Sequence, residues 1–181
     1  MGDSVSQQRR RILLGSPYPI PLPMQTPFPQ AAFLNYLESI NTPASQLPSA
    51  PLSPLLARLL LTSEASGEPT KAVSDLIQLL GAHKATLQAA SDTALAADEL
   101  RRYSKFAKPG QPSPHVVQLR QKQAAARQAS SQSKQALIKA AATFVRDAGI
   151  EVPQQVALEA YITRWIDINV PKNFVTVASE K

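Results

Sequence analysis

Hydrophobic positions recur at helical spacing along most of this chain, and at every second position in one proline-rich stretch and briefly in the tail "NFVTVASEK" (173–181). Val73, Leu76, Ile77, Leu80 and Leu87 form an apolar stripe. It weakens through "AASDTALAA" and resumes at Leu95, Leu100, Tyr103 and Phe106. The pattern predicts a long helix from Pro69 to about Lys108, with residues 91–92 as an alternative break point. "KPGQPSP" (108–114) interrupts it. Ser113 and Pro114, a capping residue followed by proline at the first helical position, restart a helix that Gly149 ends. Each long helix is about 35 residues, or roughly 50 Å at 1.5 Å per residue. The short connection favours an antiparallel hairpin. In the second helix the inner positions are read as small, at Ala124, Ser131, Ala136, Ala140 and Ala141, with bulk only at Leu137, Ile138, Phe144 and Val145.

Shorter helices flank the hairpin. "QAAFLNYLESI" (30–40) places Phe33, Leu34, Leu37 and Ile40 on one face. Ser53 and Pro54 open a second short helix with Leu55, Leu56, Leu59 and Leu60, which Gly67 ends. A last helix is expected from Pro153, carrying Val156, Leu158, Tyr161, Ile162, Trp165 and Ile166, apolar on more than one side and so buried; Pro171 stops it. The fold class is therefore all-α: a long antiparallel helical hairpin with short flanking helices and an extended Pro-rich N-terminal arm. The divisions are an arm at 1–29, short helices and a Pro-rich loop at 30–68, a helical domain at 69–170 and a tail at 171–181.

The proline-rich stretch with period two is "SPYPIPLPMQTPFP" (16–29), which has no charge. Pro17, Pro19, Pro21 and Pro23 hold the residues before them extended. Tyr18, Ile20, Leu22 and Met24 then share one face with prolines opposite, and the remaining amide donors point one way. Such a ribbon suits an apolar groove, and these residues with Phe28 are the expected contacts to a neighbouring subunit.

Charge changes the picture of the hairpin. The chain has 19 Lys and Arg against 13 Asp and Glu, a formal net of +6. Ten of the bases and none of the acids lie between Arg101 and Arg146. A solvated helix normally interleaves signs to gain pairs one turn apart, so this segment points to an anionic partner. Arg120, Arg127 and Lys134 lie seven apart and share a face; Lys122 and Lys139 recur more loosely. With Arg101, Arg102, Lys105, Lys108 and the cluster Arg9, Arg10 and Arg11, they are the candidate contacts to nucleic acid or another anionic partner. They would follow backbone phosphates without reading sequence. Aromatic residues are nearly absent between them, which favours backbone contact over base stacking.

Catalytic chemistry finds little support. Cysteine is absent, which excludes disulfides and thiolates and is compatible with a reducing or intracellular setting. There is no HExxH, no Cys/His set, no glycine-rich phosphate loop, and only two histidines, His83 and His115. No metal and no cofactor is expected. No window is apolar enough to span a membrane, and "RRRILLG" has too short an apolar run for a secretory signal. "MGDSVS" fits the loose myristoylation pattern at Gly2, with Asp3 against it. "PSAP" (48–51) resembles the late-domain tetrapeptide of some viral proteins, in a segment where Pro, Ser and Ala abound. "PYPIP" and "PIPLP" lack the flanking Arg of a typical SH3 ligand.

The expected function is a non-catalytic structural subunit of a large assembly, of the virion coat or internal virion protein type. Its partners are copies of itself or neighbouring subunits, and nucleic acid through backbone phosphates. An accessory subunit of a ribosome or organellar complex is the alternative, followed by a peripheral membrane or adaptor protein lipidated at Gly2.

Overall fold

The computed structural model describes residues 27–40, 53–56, 71–106, 110, 113–172 and 174. Among them 80% are helical and none is in a strand. Four helices follow in chain order: α1, Ala31–Ile40; α2, Lys71–Ser104; α3, Pro114–Asp147; and α4, Leu158–Asn169. The two long helices pack along their lengths as the antiparallel hairpin, and α2 runs unbroken through residues 91–92.

Local chemistry sets the helix ends. Ser113 is extended (φ −61°, ψ 151°), its Oγ accepts from the Val116 amide at 3.3 Å, and Pro114 follows. At the other end of α3 the Gly149 amide donates to the Arg146 carbonyl (3.3 Å) and the Ile150 amide to the Val145 carbonyl (2.9 Å). This paired closure needs a left-handed residue, supplied by Gly149 at φ 65°. Ile150 and Val145 both pack on the core, which completes the motif. Ser53 Oγ accepts from the Leu56 amide over a helical turn at 54–56, the described part of the expected second short helix. The last helix starts later than its proline suggests. Residues 151–157 form turns and extended chain, Ala157 has no side-chain cap, and helix begins at Leu158.

A single core closes at one end of the hairpin. It joins Phe33, Leu34, Tyr36 and Leu37 of α1 to Val73, Leu76, Leu79 and Leu80 of α2. It also takes in Leu137, Ala141 and Phe144 of α3 and Ile162, Trp165 and Ile166 of α4. Phe144 stacks edge-on against Trp165 at 5.0 Å, and Phe174 seats between Phe33 (5.4 Å) and Tyr36 (5.0 Å). One face of α4 is buried rather than several: Ile168 is exposed, as is Val156, which precedes the helix. Phe28 also belongs to this core. Its ring meets the buried His83 at 5.9 Å, so the side chain expected to contact a neighbour is held by its own chain. Tyr18, Ile20, Leu22 and Met24 lie outside the described residues.

Beyond His83 the hairpin continues, among the described residues, as two helices alone. Among the described residues, the fully buried positions there are Ala96, Val116 and Leu119. From residue 84 to 104, α2 extends about 30 Å past the core. Its seam is built from small side chains. Thr86 Oγ1 lies 3.2 Å from the Ser133 carbonyl, and Thr93 Oγ1 lies 3.2 Å from the Ala126 carbonyl. These pairs are one heptad apart on both helices, so the register holds along the projection. A hydroxyl reaches the facing backbone only where neither helix interposes bulk. The small residues that matter are Ala126, Ser130 and Ser133, half-buried on the seam; Ala124, Ser131 and Ala136, expected inside, are exposed. The apolar stripe of α2 also stops short of its expected length as a core face, since Leu95, Tyr103 and Phe106 are exposed.

At the foot of the hairpin Asp75 is buried beside Asp147, which pairs with Lys71 (2.6 Å) and Arg146 (2.9 Å). Burial, then the hydrogen bond and charge of Asp147, raise the Asp75 pKa. Lys71, then Arg146, hold Asp147 well below the usual carboxylate range. The signs are opposite. Asp75 contributes stability below its unfolded value, near 3.9, and loses it as pH rises through its raised folded value; Asp147 contributes above that value and loses it in stronger acid. Asp75→Asn keeps a donor toward Asp147 and cannot ionise. Its Tm relative to the native chain is expected to be higher at pH 7.5 than at pH 4, as scanning calorimetry at both values would show. An equal offset at both pH values would mean that the Asp75 pKa is not raised in the fold.

Candidate nucleic-acid interface

The projection concentrates the positive charge. Residues 84–139 hold ten Lys and Arg against three acids, Asp92, Asp98 and Glu99, while the rest of the chain holds nine bases and ten acids. The structure divides the basic residues by face. Arg120, Arg127 and Lys134 each follow a seam residue of α3 by one position (Leu119, Ala126 and Ser133), so all three line one flank of the seam, exposed. None has an ion pair among the described residues. Lys122 is two residues, or roughly 200°, around the helix from Arg120 and lies on the other flank. There its Nζ meets Glu99 of α2 at 2.7 Å. Lys139 is five residues from Lys134, roughly 140° away, and faces outward apart from the row.

Residues 101–146 hold no acid, but Glu99 of α2 thus reaches Lys122 of α3. Arg101 is paired with Asp98 at 2.8 Å in its own helix. Both ion pairs are largely exposed, so each contributes at most about 1 kcal/mol, but each offsets a charge that sequence alone counts as available. Arg102 and Lys105 are exposed at the end of α2 and have no ion pair among the described residues. Lys108, Arg9, Arg10 and Arg11 lie outside the described residues. The unpaired residues at the tip and down this flank are therefore Arg102 and Lys105, then Arg120, Arg127 and Lys134; Lys84 and Lys139 also have no ion pair among the described residues but stand apart from that row.

The tip contains groups that the sequence pattern assigns elsewhere. By pattern Tyr103 belongs to the core and His115 is only a first-turn residue. Their rings meet at 4.6 Å and 84°, edge to face. Phe106 is 86% exposed, its amide donating to the Tyr103 carbonyl at 3.2 Å. The available signal is position: Tyr103 and His115 stand at similar distances on either side of "KPG", where an antiparallel hairpin must bring them together. His83 has no such role. It is buried against Phe28, and burial lowers its pKa, opposed by the charge of Asp167.

Among the described residues no group of three His, Cys, Asp or Glu could hold a metal ion, and no helix is long and apolar enough to cross a membrane. Comparisons with protein-family models, curated proteins and solved structures find no match.

Proposed function

We propose that the chain is a non-catalytic, nucleic-acid-binding subunit of a larger assembly, with the hairpin as its binding element. The observation that carries this is the row Arg120, Arg127 and Lys134, exposed and unpaired on one flank of a projection built without bulk. A rod of two helices with a narrow seam costs much surface for little burial. Its use is to place charge away from the body of the protein. Seven-residue spacing puts successive cations about 10.5 Å apart along α3, a row that phosphates can follow without base contacts. A virion coat or internal virion protein is the setting that joins such an element to the alternating proline-rich sequence at 16–29.

The test replaces Arg120, Arg127 and Lys134 together by Gln. All three are exposed, so the fold should be unchanged by circular dichroism. Affinity for duplexes of unrelated sequence should fall to a similar extent. The slope of log K against log salt should become shallower by about 3, near one unit for each phosphate no longer neutralised. An unchanged slope removes this flank from the interface.

A further inference from the structure

We propose that the hairpin tip holds an unpaired nucleotide of a single-stranded nucleic acid, its base stacked on Tyr103 and Phe106 and its phosphates held by Arg102 and Lys105. The proposal rests on the reading of the hairpin as a nucleic-acid binder and adds a second, chemically different contact to it. The flank offers only point charges. The tip offers charges around aromatic faces.

Three observations carry it. First, the tip is concave: Arg102, Tyr103, Phe106, His115, Leu119 and Lys122 surround a cleft of about 590 Å³. That volume lies within the ~300–1,000 Å³ usual for small-ligand sites. Second, its aromatic surface is open. Phe106 is 86% exposed and Tyr103 52%. In an edge-to-face pair at 84°, His115 covers at most one face of Tyr103, so another remains for a base. Exposed aromatic rings at a helix end have no role in a two-helix seam, whose buried residues here are Leu119, Val116 and Ala96. Third, the charge is complementary. The acid in the cleft, Glu99, is neutralised by Lys122 at 2.7 Å, while Arg102 and Lys105 have no such partner among the described residues. Stacking is tolerant of base identity, because every base has a π-face, so the site would select single strands rather than a sequence. The aromatic area is one protruding ring and one half-covered ring beside cations, too small for firm anchorage in a lipid surface, which takes a broad apolar face.

The experiment compares the full chain with Tyr103→Ala/Phe106→Ala and with Tyr103→Leu/Phe106→Leu. Binding to a fluorescein-labelled oligothymidylate, and to a duplex of equal length, is read by anisotropy. Both pairs of substitutions keep every charge, and both positions are exposed. Single-strand affinity is expected to fall about 10- to 100-fold in both variants, with duplex affinity within about twofold of the native chain. Equal losses on both probes, or none on either, overturn the tip site and leave the flank reading standing. Retention of single-strand affinity by the leucine variant overturns stacking. Binding to phosphatidylserine vesicles that the alanine variant alone loses, with oligonucleotide affinity unchanged, makes the tip a membrane contact and overturns the proposal. A native chain that binds neither nucleic acid at low salt overturns the functional reading and this one with it.

Discussion

Phe144→Ala is expected to destabilise the protein by about 3–5 kcal/mol, the range for removing a large aromatic ring from a closed core. Phe144 is fully buried where the hairpin foot meets the other helices. Its ring lies edge-on to Trp165 of α4, with Leu76, Leu79 and Leu80 of α2 in the same core. The surrounding side chains belong to separate helices packed around it, so the site closes poorly around a missing ring. Against a total stability of about 5–15 kcal/mol, this loss puts the variant near unfolding at 37 °C. Trp165 is the only tryptophan, so urea titration followed by its fluorescence reports on this contact directly. Phe106→Ala is the matched control, expected within about 0.5 kcal/mol of the native chain. A loss below about 1 kcal/mol for Phe144→Ala would mean that the hairpin foot and α4 do not share a core.

The second large effect separates folding from binding. Residues 87–132 can be replaced by a short Gly-rich turn joining Thr86 to Ser133, whose hydroxyl and carbonyl face each other at 3.2 Å. The deletion removes Ala96, Val116 and Leu119 and the partly buried Leu87 at the edge of the main core, but none of that core's buried residues. It takes away seven bases and three acids, lowering the net charge from +6 to +2. The shortened chain should unfold cooperatively with native Trp165 emission, while its affinity for nucleic acid at low salt drops by at least 100-fold. Loss of the native Trp165 signal would show that the projection helps to hold the core, contrary to the burial pattern.

The fold is largely legible in the sequence because its signals are local. Ser113, Pro114 and Gly149 mark both ends of α3 through capping chemistry that needs no tertiary partner, and the shortness of "KPGQPSP" implies an antiparallel return. What sequence misplaces depends on which face of a helix meets which neighbour. Ala124 and Ala126 are equally small, and only the register set by Thr86 and Thr93 decides that Ala126 lies on the seam. Leu95, Tyr103 and Phe106 continue an apolar stripe, yet α2 has by then left the core, and among the described residues all three stay exposed, with Tyr103 meeting only the edge-to-face ring of His115. Phe28 follows the alternating segment without break and groups with it by pattern. The turn that starts α1, in which the Ala31 amide donates to the Phe28 carbonyl at 3.0 Å, instead directs it into its own core. The candidate interface is half legible. The row at 120, 127 and 134 is pure helical geometry and can be read in advance. The pairing of Lys122 with Glu99 joins residues far apart in sequence, and no count of charges along one helix contains it.

The salt dependence of duplex binding tests most directly whether the hairpin is the contact with nucleic acid. With Arg102, Lys105, Arg120, Arg127 and Lys134 each neutralising one phosphate, the full chain should show a slope of log K against log salt of about −4.5, at roughly 0.9 per phosphate. The chain lacking 87–132 keeps only Lys134 of that set, and its slope should be about −1. Equal slopes and equal affinities for the two chains would place the contact elsewhere and contradict the account.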